Sequence, residues 1–328
     1  MDTRRYEMTT IDAGTGSGLT PVDKLLIAAG SDVRGHRIAT AYATNKVDAG
    51  SLLVFEFDER TEQLSSAEET EDYRGYEQLG MPVRVVRGGI ADPPSCLKEL
   101  EKPENVLSRE DRVALDITLF TKPYFFWILK YLSVYVGISN VSAYYTEPES
   151  YRYSAGTFDS YQSTYGPLHV REMPGYPGEG RAVGSRLLVV LLGFDGQLST
   201  AINDDVAPNK TIVVNGFPSY CPKFKDISLV NNERLVAGAR SVMYAPAHNP
   251  FETYNLLQHI RDKREDAVMT IAPLGTKPMA LGACLFAISN EDVRVVYPLP
   301  ETYAKKTTRA SWRSWRYDMD VSAVTAGG

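Results

Sequence analysis

The 328-residue sequence holds only three cysteines, Cys96, Cys221 and Cys284, at no spacing that binds metal. An odd number of widely separated thiols also argues against a disulfide framework. Its four histidines are scattered, without HExxH or a comparable pair, so no metal site is expected. Neither GxGxxG nor a Walker motif occurs, which removes ordinary dinucleotide binding and nucleoside-triphosphate hydrolysis from the expected chemistries. No cofactor is implied. Basic charge is also short: 35 Lys and Arg against 41 Asp and Glu give a net charge of −6, so only a local basic patch could attract nucleic acid. No apolar run reaches membrane-spanning length, and the opening "MDTRRYEMTTIDAG" lacks the apolar core of a signal peptide. A cytoplasmic address and no membrane partner are expected.

An apolar fraction of 43% and a length sufficient for two buried cores remain, as in a globular protein of two domains. The chain reads as if written twice. "DKLLIAAGSDVRGHRIATAYATNKVDAGSLLVFEFDER" (23–60) and "SRLLVVLLGFDGQLSTAINDDVAPNKTIVVNGFPSY" (185–220) each run from an apolar strand, through Gly and Asp, into an amphipathic stretch and a second strand. The halves also close alike, on Thr-Lys-Pro at 121–123 and 276–278, then Ile-Ser-Asn, then Pro-Glu-Ser/Thr-Tyr. Further strands are expected at 82–88 and 241–250, and a helix at 251–265, while the acidic stretch 56–78 reads as a solvated loop or exposed helix. Strands apolar along their whole length are covered on both faces. The fold class is therefore α/β, with two Rossmann-like, doubly wound, mostly parallel sheets related by internal duplication. The Gly- and Pro-rich stretch 171–184 places the boundary between domains 1–172 and 173–328.

In such sheets ligands bind beyond the carboxyl ends of the strands, where strand order reverses. The fourth strand of each half ends there, at "DITLFTKP" and "APLGTKP". Proline suits the first turn of a helix, so Thr-Lys-Pro marks a helix start whose unpaired N–H groups favour an anion. Gly275 would admit that anion close to the backbone, with Thr276 and Lys277 beside it. The first copy carries Thr121 and Lys122, has Phe120 where the second has Gly275, and adds Asp116 and Thr118, better suited to a hydroxyl or a base. Across the crevice the first turn supplies Gly30, Ser31, Asp32, Arg34 and His36, and its counterpart Gly193, Phe194, Asp195 and Gly196. Arg34 and His36 read equally as phosphate or base contacts and as a surface turn. Asn215 and Ser219 could meet a ribose or base, or serve only turn chemistry.

"LGFDGQLS" followed far downstream by "PLGTKPMALGACLFA" resembles the CARF domain, the CRISPR-associated Rossmann-fold sensor, and SAVED domains fuse two such units in one chain. The resemblance covers the second half and is echoed loosely in the first. It implies a site for cyclic oligonucleotides at Gly193, Phe194, Asp195, Gly196, Gly275, Thr276 and Lys277, with Gly30, Ser31, Asp32, Thr121 and Lys122 as the first-half counterparts. A nucleotide second messenger bound in a cleft between the halves, with Lys122 and Lys277 facing each other, is the expected ligand mode. No nuclease, protease or membrane segment is apparent within these residues, so the effector is expected on a separate protein.

Two other readings stand beside this sensor. A metal-independent phosphodiesterase could use Lys277, Thr276 and His36, although no paired carboxylates or nucleophile–base motif supports it. An assembly subunit would use the tail "AKKTTRASWRSWRYDMD", where Lys305, Lys306, Arg309, Arg313 and Arg316 interleave with Trp312 and Trp315. That tail reads either as a contact for protein or nucleic acid, or as a terminal element packing its tryptophans on the body.

Overall fold

The computed structural model describes residues 6–30, 32–58, 73–149, 164–178, 184–264, 267–303 and 311–321. The chain divides into two compact units, Met1–Arg152 with Lys306–Gly328, and Tyr153–Lys305. The first contains β1 (Tyr6–Ile11), β2 (Val22–Ala28), α1 (Arg37–Thr44), β3 (Ala49–Asp58), α2 (Arg74–Glu77) and β4 (Val83–Gly89). A 3-10 turn, Pro93–Cys96, then leads into α3 (Leu97–Leu100), followed by β5 (Val113–Asp116), α4 (Lys122–Lys130) and β6 (Asn140–Pro148). The second contains β7 (Thr164–Pro177), β8 (Ser185–Leu191), α5 (Gly196–Val206), β9 (Lys210–Gly216), α6 (Pro222–Asn231) and α7 (Glu233–Gly238). It continues with β10 (Ser241–Ala245), α8 (Pro250–Asp262), β11 (Ala267–Pro273), α9 (Lys277–Ile288) and β12 (Arg294–Tyr303), and β13 (Ser311–Asp320) closes the described chain.

The sheets run β1-β13-β6-β5-β2-β3-β4 and β10-β9-β8-β11-β12-β7. Five parallel strands in each follow one plan, the first of the five (β2 or β8) central, the second and third to one side, the fourth and fifth to the other. This is the α/β, doubly wound arrangement that the apolar strands imply. The central strands are buried throughout or nearly so: Val113–Asp116 of β5 entirely, and all of β8 beyond its first two residues.

The domain division differs from a cut at 172/173. That point falls inside β7, which pairs antiparallel with β12 at the edge of the second sheet. Pro174, Gly175 and Pro177 suggest a linker by composition, but an edge strand tolerates residues that donate or pack poorly. The tail is the second departure, because β13 lies in the first sheet, antiparallel to both β6 and β1. Each fifth strand, β6 or β12, is thus flanked by the strand that follows the other one in the chain.

Local signals start the helices where the sequence places them. Asn249 caps α8, accepting from the N–H groups of Phe251 (3.0 Å) and Glu252 (3.3 Å), with Pro250 next. Thr276 caps α9, and every residue from Pro278 to Ile288 is buried, as a helix apolar all round requires. Helix α8 lies against it: a Cβ on Gly282 would come 2.1 Å from the Pro250 carbonyl oxygen, and Tyr254 packs edge-on to Phe286 at 5.9 Å. In the first unit α4 runs on into a π-helical turn, Tyr131–Val136, closed by left-handed Gly137. Only the short 3-10 turn and α3 precede its strand, and Trp127, Tyr131 and Tyr135 stack in series at 5.3 and 6.1 Å.

Candidate functional site

Strand order in the second sheet reverses between β8 and β11, and the loops leaving these strands meet. A Cβ on Gly193 would lie 2.5 Å from the Leu274 carbonyl oxygen, and one on Gly275 3.4 Å from that of Leu192. Sequence-expected residues of both loops are therefore neighbours. Their roles differ. Gly193 presents its carbonyl to Ser228 Oγ (3.0 Å) and Asn232 Nδ2 (2.9 Å), and Phe194 presents its own to Asn231 Nδ2 (2.7 Å). Gly196 sits so close to α6 that a Cβ would fall 1.8 Å from the Asn231 oxygen, and Phe194 packs on Phe224 at 5.2 Å. These residues fasten the turn to the body.

The two helix N-termini at the reversal are electrostatically unlike. Asp195, 7% exposed, caps α5 by accepting from the Gln197 N–H at 3.2 Å, so a carboxylate already occupies that end. The first turn of α9 carries no acid; its cap is the neutral hydroxyl of Thr276, accepting from Met279 N at 3.4 Å, and Lys277 opens the helix, half-buried. Thr276 Oγ1 also donates to the Ala247 carbonyl, which accepts from Tyr220 Oη at 3.0 Å, while Ala247 N bonds the Pro218 carbonyl at 2.9 Å. Loops after β9, β10 and β11 are knitted into one rim. Asn215 is turned inward, 1% exposed, joining the Gly216 N–H to the Lys225 carbonyl at 2.9 and 3.0 Å, and Ser219 donates to the Cys221 carbonyl at 2.7 Å. Both are engaged in holding turns. Of the two helix starts at this reversal, the one without a carboxylate is that of Gly275–Thr276–Lys277.

In the first unit the corresponding corner gathers its residues around one another. Asp32 and Arg34 form a forked ion pair, with Arg34 Nη2 2.8 Å and Nε 3.2 Å from Asp32 Oδ2, and Nη1 donates to the Thr146 carbonyl at 3.2 Å. Thr146 N donates to Thr118 Oγ1 (3.0 Å), Thr118 N donates to Asp116 Oδ1 (2.9 Å), and Thr146 Oγ1 bonds Ser314 Oγ (2.9 Å). With Arg34 at 8%, Asp116 at 2% and Thr118 at 1% exposure, these groups form an internal polar network. His36 stacks on Tyr76 at 4.1 Å and 13°. Gly30 lies against Leu119, and Ser31 is outside the described residues. Thr121 takes the N-cap backbone of α4 without a capping bond, its buried Oγ1 lacking a hydrogen-bond partner among the described residues, and Lys122 follows as the first helical residue.

Sequence reasoning missed the partners of these groups, Thr146 and through it Ser314, because they lie far away along the chain. Of the two readings of the tail, residues 311–321 take the packed form: Trp315 is 8% exposed and its Nε1–H donates to the buried Glu147 Oε1 at 2.6 Å. Burial pushes the Glu147 carboxyl above the usual range, with the Trp315 bond opposing. Arg316 is tied to Asp318 (2.8 Å), while Arg313 lies over the Trp315 ring at 5.6 Å. Lys305, Lys306 and Arg309, with the Trp312 side chain, fall outside the described residues.

Among the described residues no group of three or more His, Cys, Asp or Glu could hold a metal ion, and no helix is long and apolar enough to cross a membrane. A cavity of about 130 Å³ lies at the amino ends of the strands, lined by Asn203, Asp204, Thr211 and Arg234 among others, away from the corner. No protein-family model and no curated protein matches the chain. One solved structure similar to it is described as a Type III CRISPR defence DNA nuclease activated by cyclic oligoadenylate, at 11% identity and a TM-score of 0.48. The likeness covers 80% of this chain and 63% of that one, so this chain spans less than two thirds of that nuclease.

Proposed function

We propose that the chain is a nucleotide-binding sensor, its two units descended from one, which holds a phosphate of a cyclic or linear oligonucleotide at Gly275–Thr276–Lys277. In this reading it regulates a separately encoded effector of a prokaryotic antiviral defence system. One observation carries the binding step. At the strand-order reversal of the second sheet, α9 opens with a lysine, a neutral cap and no acid, while its neighbour α5 is capped by its own carboxylate. The identical plan of five parallel strands in both sheets supports the common descent. The resemblance of "LGFDGQLS" and "PLGTKPMALGACLFA" to CARF sensors supports the role.

Calorimetry with a panel of cyclic and linear oligonucleotides tests the binding step. Wild type is expected to bind at least one member, and Lys277→Ala to weaken it roughly 10- to 100-fold, the worth of one charged hydrogen bond. The loss should shrink as salt rises. A wild-type protein that binds none of the panel, or a Lys277→Ala variant that binds like wild type, removes the reading.

A further inference from the structure

We infer that Phe217 and Tyr244 form a stacking platform for a nucleobase of the bound oligonucleotide, an inference that rests on the Lys277 corner being its phosphate site. Both rings stand at the carboxyl ends of adjacent parallel strands, β9 and β10, where Tyr244 lies opposite Asn215 and Ala245 opposite Gly216. They are 51% and 49% exposed, and they pack edge to face with centroids 6.1 Å apart at 75°. Single exposed apolar residues are ordinary. Two rings that fix each other's orientation on a polar surface present a preformed apolar face.

The backbone holds this pair firmly, the Phe217 N–H donating to the Ala245 carbonyl at 2.7 Å. A cation is built in: Lys225 Nζ lies 5.6 Å from the Phe217 centroid and 3.2 Å from Asp226 Oδ1. Rings beside lysine are the combination that grips single-stranded nucleic acid, the rings taking bases and the cations phosphates. Here Lys225 of α6 lies beside Phe217, and Lys277 opens α9.

Platform and corner also share a floor. A Cβ on Gly216 would lie 3.3 Å from Met279 Sδ, and one on Gly275 3.2 Å from the same sulfur. Phe217 is the residue after Gly216, so base and phosphate surfaces adjoin along one rim. The same oligonucleotide can touch both.

The test compares cyclic and linear tetra-adenylate with base-free sugar-phosphate counterparts, on wild type, Phe217→Ala, Tyr244→Ala, Phe217→Tyr, Tyr244→Phe and Lys277→Ala. Loss of either ring is expected to weaken the adenylate roughly 5- to 100-fold, the usual worth of a stacked base, and to leave the base-free probe unchanged. The ring-retaining variants should bind as wild type does, and Lys277→Ala should weaken both probes. A 2-aminopurine in the adenylate should be quenched by wild type and less so by the alanine variants. Tyr244→Ala, on an exposed edge-strand position, keeps the comparison valid if Phe217→Ala fails to fold. Alanine variants that bind adenylate like wild type, or that weaken the base-free probe equally, overturn the platform while the corner stands. A wild type that binds no probe overturns both.

Discussion

Glu147 shows what single residues contribute here beyond the site. Its carboxyl is 1% exposed and accepts from the Trp315 indole at 2.6 Å, and burial raises its pKa. A carboxyl whose folded pKa lies above its unfolded value favours the folded state most below that unfolded value, about 4.5, and loses this contribution as pH rises through the folded one. Glu147→Gln keeps a carbonyl oxygen for the indole and removes the buried charge. Urea midpoints at pH 5 and pH 8 are expected to fall with pH more steeply in wild type than in Glu147→Gln; parallel falls in both proteins would count against this account. None of this was visible in the tail sequence, which allowed Trp315 to be outside or inside. Its partner lies on β6, and no local pattern couples the two. The same distance effect hid the fate of Arg34. A short Asp-Arg turn is legible, but the Thr146 carbonyl that fixes the guanidinium comes from another strand.

At the scale of elements, helix starts were legible and helix surroundings were not. Thr-Lys-Pro carries its own capping chemistry, so 122 and 277 were readable as helix starts, while the helix expected at 251–265 starts one residue earlier, at a Pro250 that the sequence reading gave to the strand before it. Which helix covers which depends on remote packing. Gly282 and Trp127 lie at the same remove from their lysines, yet Gly282 lets the α8 backbone touch α9, while Trp127 begins an aromatic stack ending at Tyr135, 78% exposed. Gly282→Ala separates propensity from packing. Alanine is the better helix former by about 1 kcal/mol. Its Cβ, however, would stand 2.1 Å from the Pro250 oxygen and 2.8 Å from Thr253 Cβ, and a backbone carbonyl yields only if α8 shifts. Overpacking of about 1–3 kcal/mol or more should win, lowering the thermal midpoint. Because α8 begins beside the Ala247 loop that receives the Thr276 hydroxyl, oligonucleotide binding should weaken as well. A variant more stable than wild type would show that the helices part without cost.

Over the whole molecule, ordered landmarks revealed two similar halves, and the strand plans agree, but the route of the chain was not readable. Composition marked 171–184 as a break because proline and glycine are unfavourable in central strands; on the edge strand β7 they cost little. Nor could linear order show that β13, the last strand, returns to sit between β1 and β6 of the first sheet. Deletion of residues 304–328 tests the consequence. It removes Trp315, Tyr317 and Met319, 8%, 0% and 2% exposed, uncovers Glu147, and strips β6 of its antiparallel neighbour. Large-to-small changes at single buried positions already cost about 2–5 kcal/mol each, comparable with the whole stability of a domain. Hydrogen exchange should therefore show amide protection lost across β1, β5 and β6, and retained in β8, β9 and β11, whose pairings lie wholly within 185–295. Protection preserved in β5 and β6 would mean that the first sheet holds without its last strand. Protection lost equally in β8 and β11 would mean that the units unfold as one.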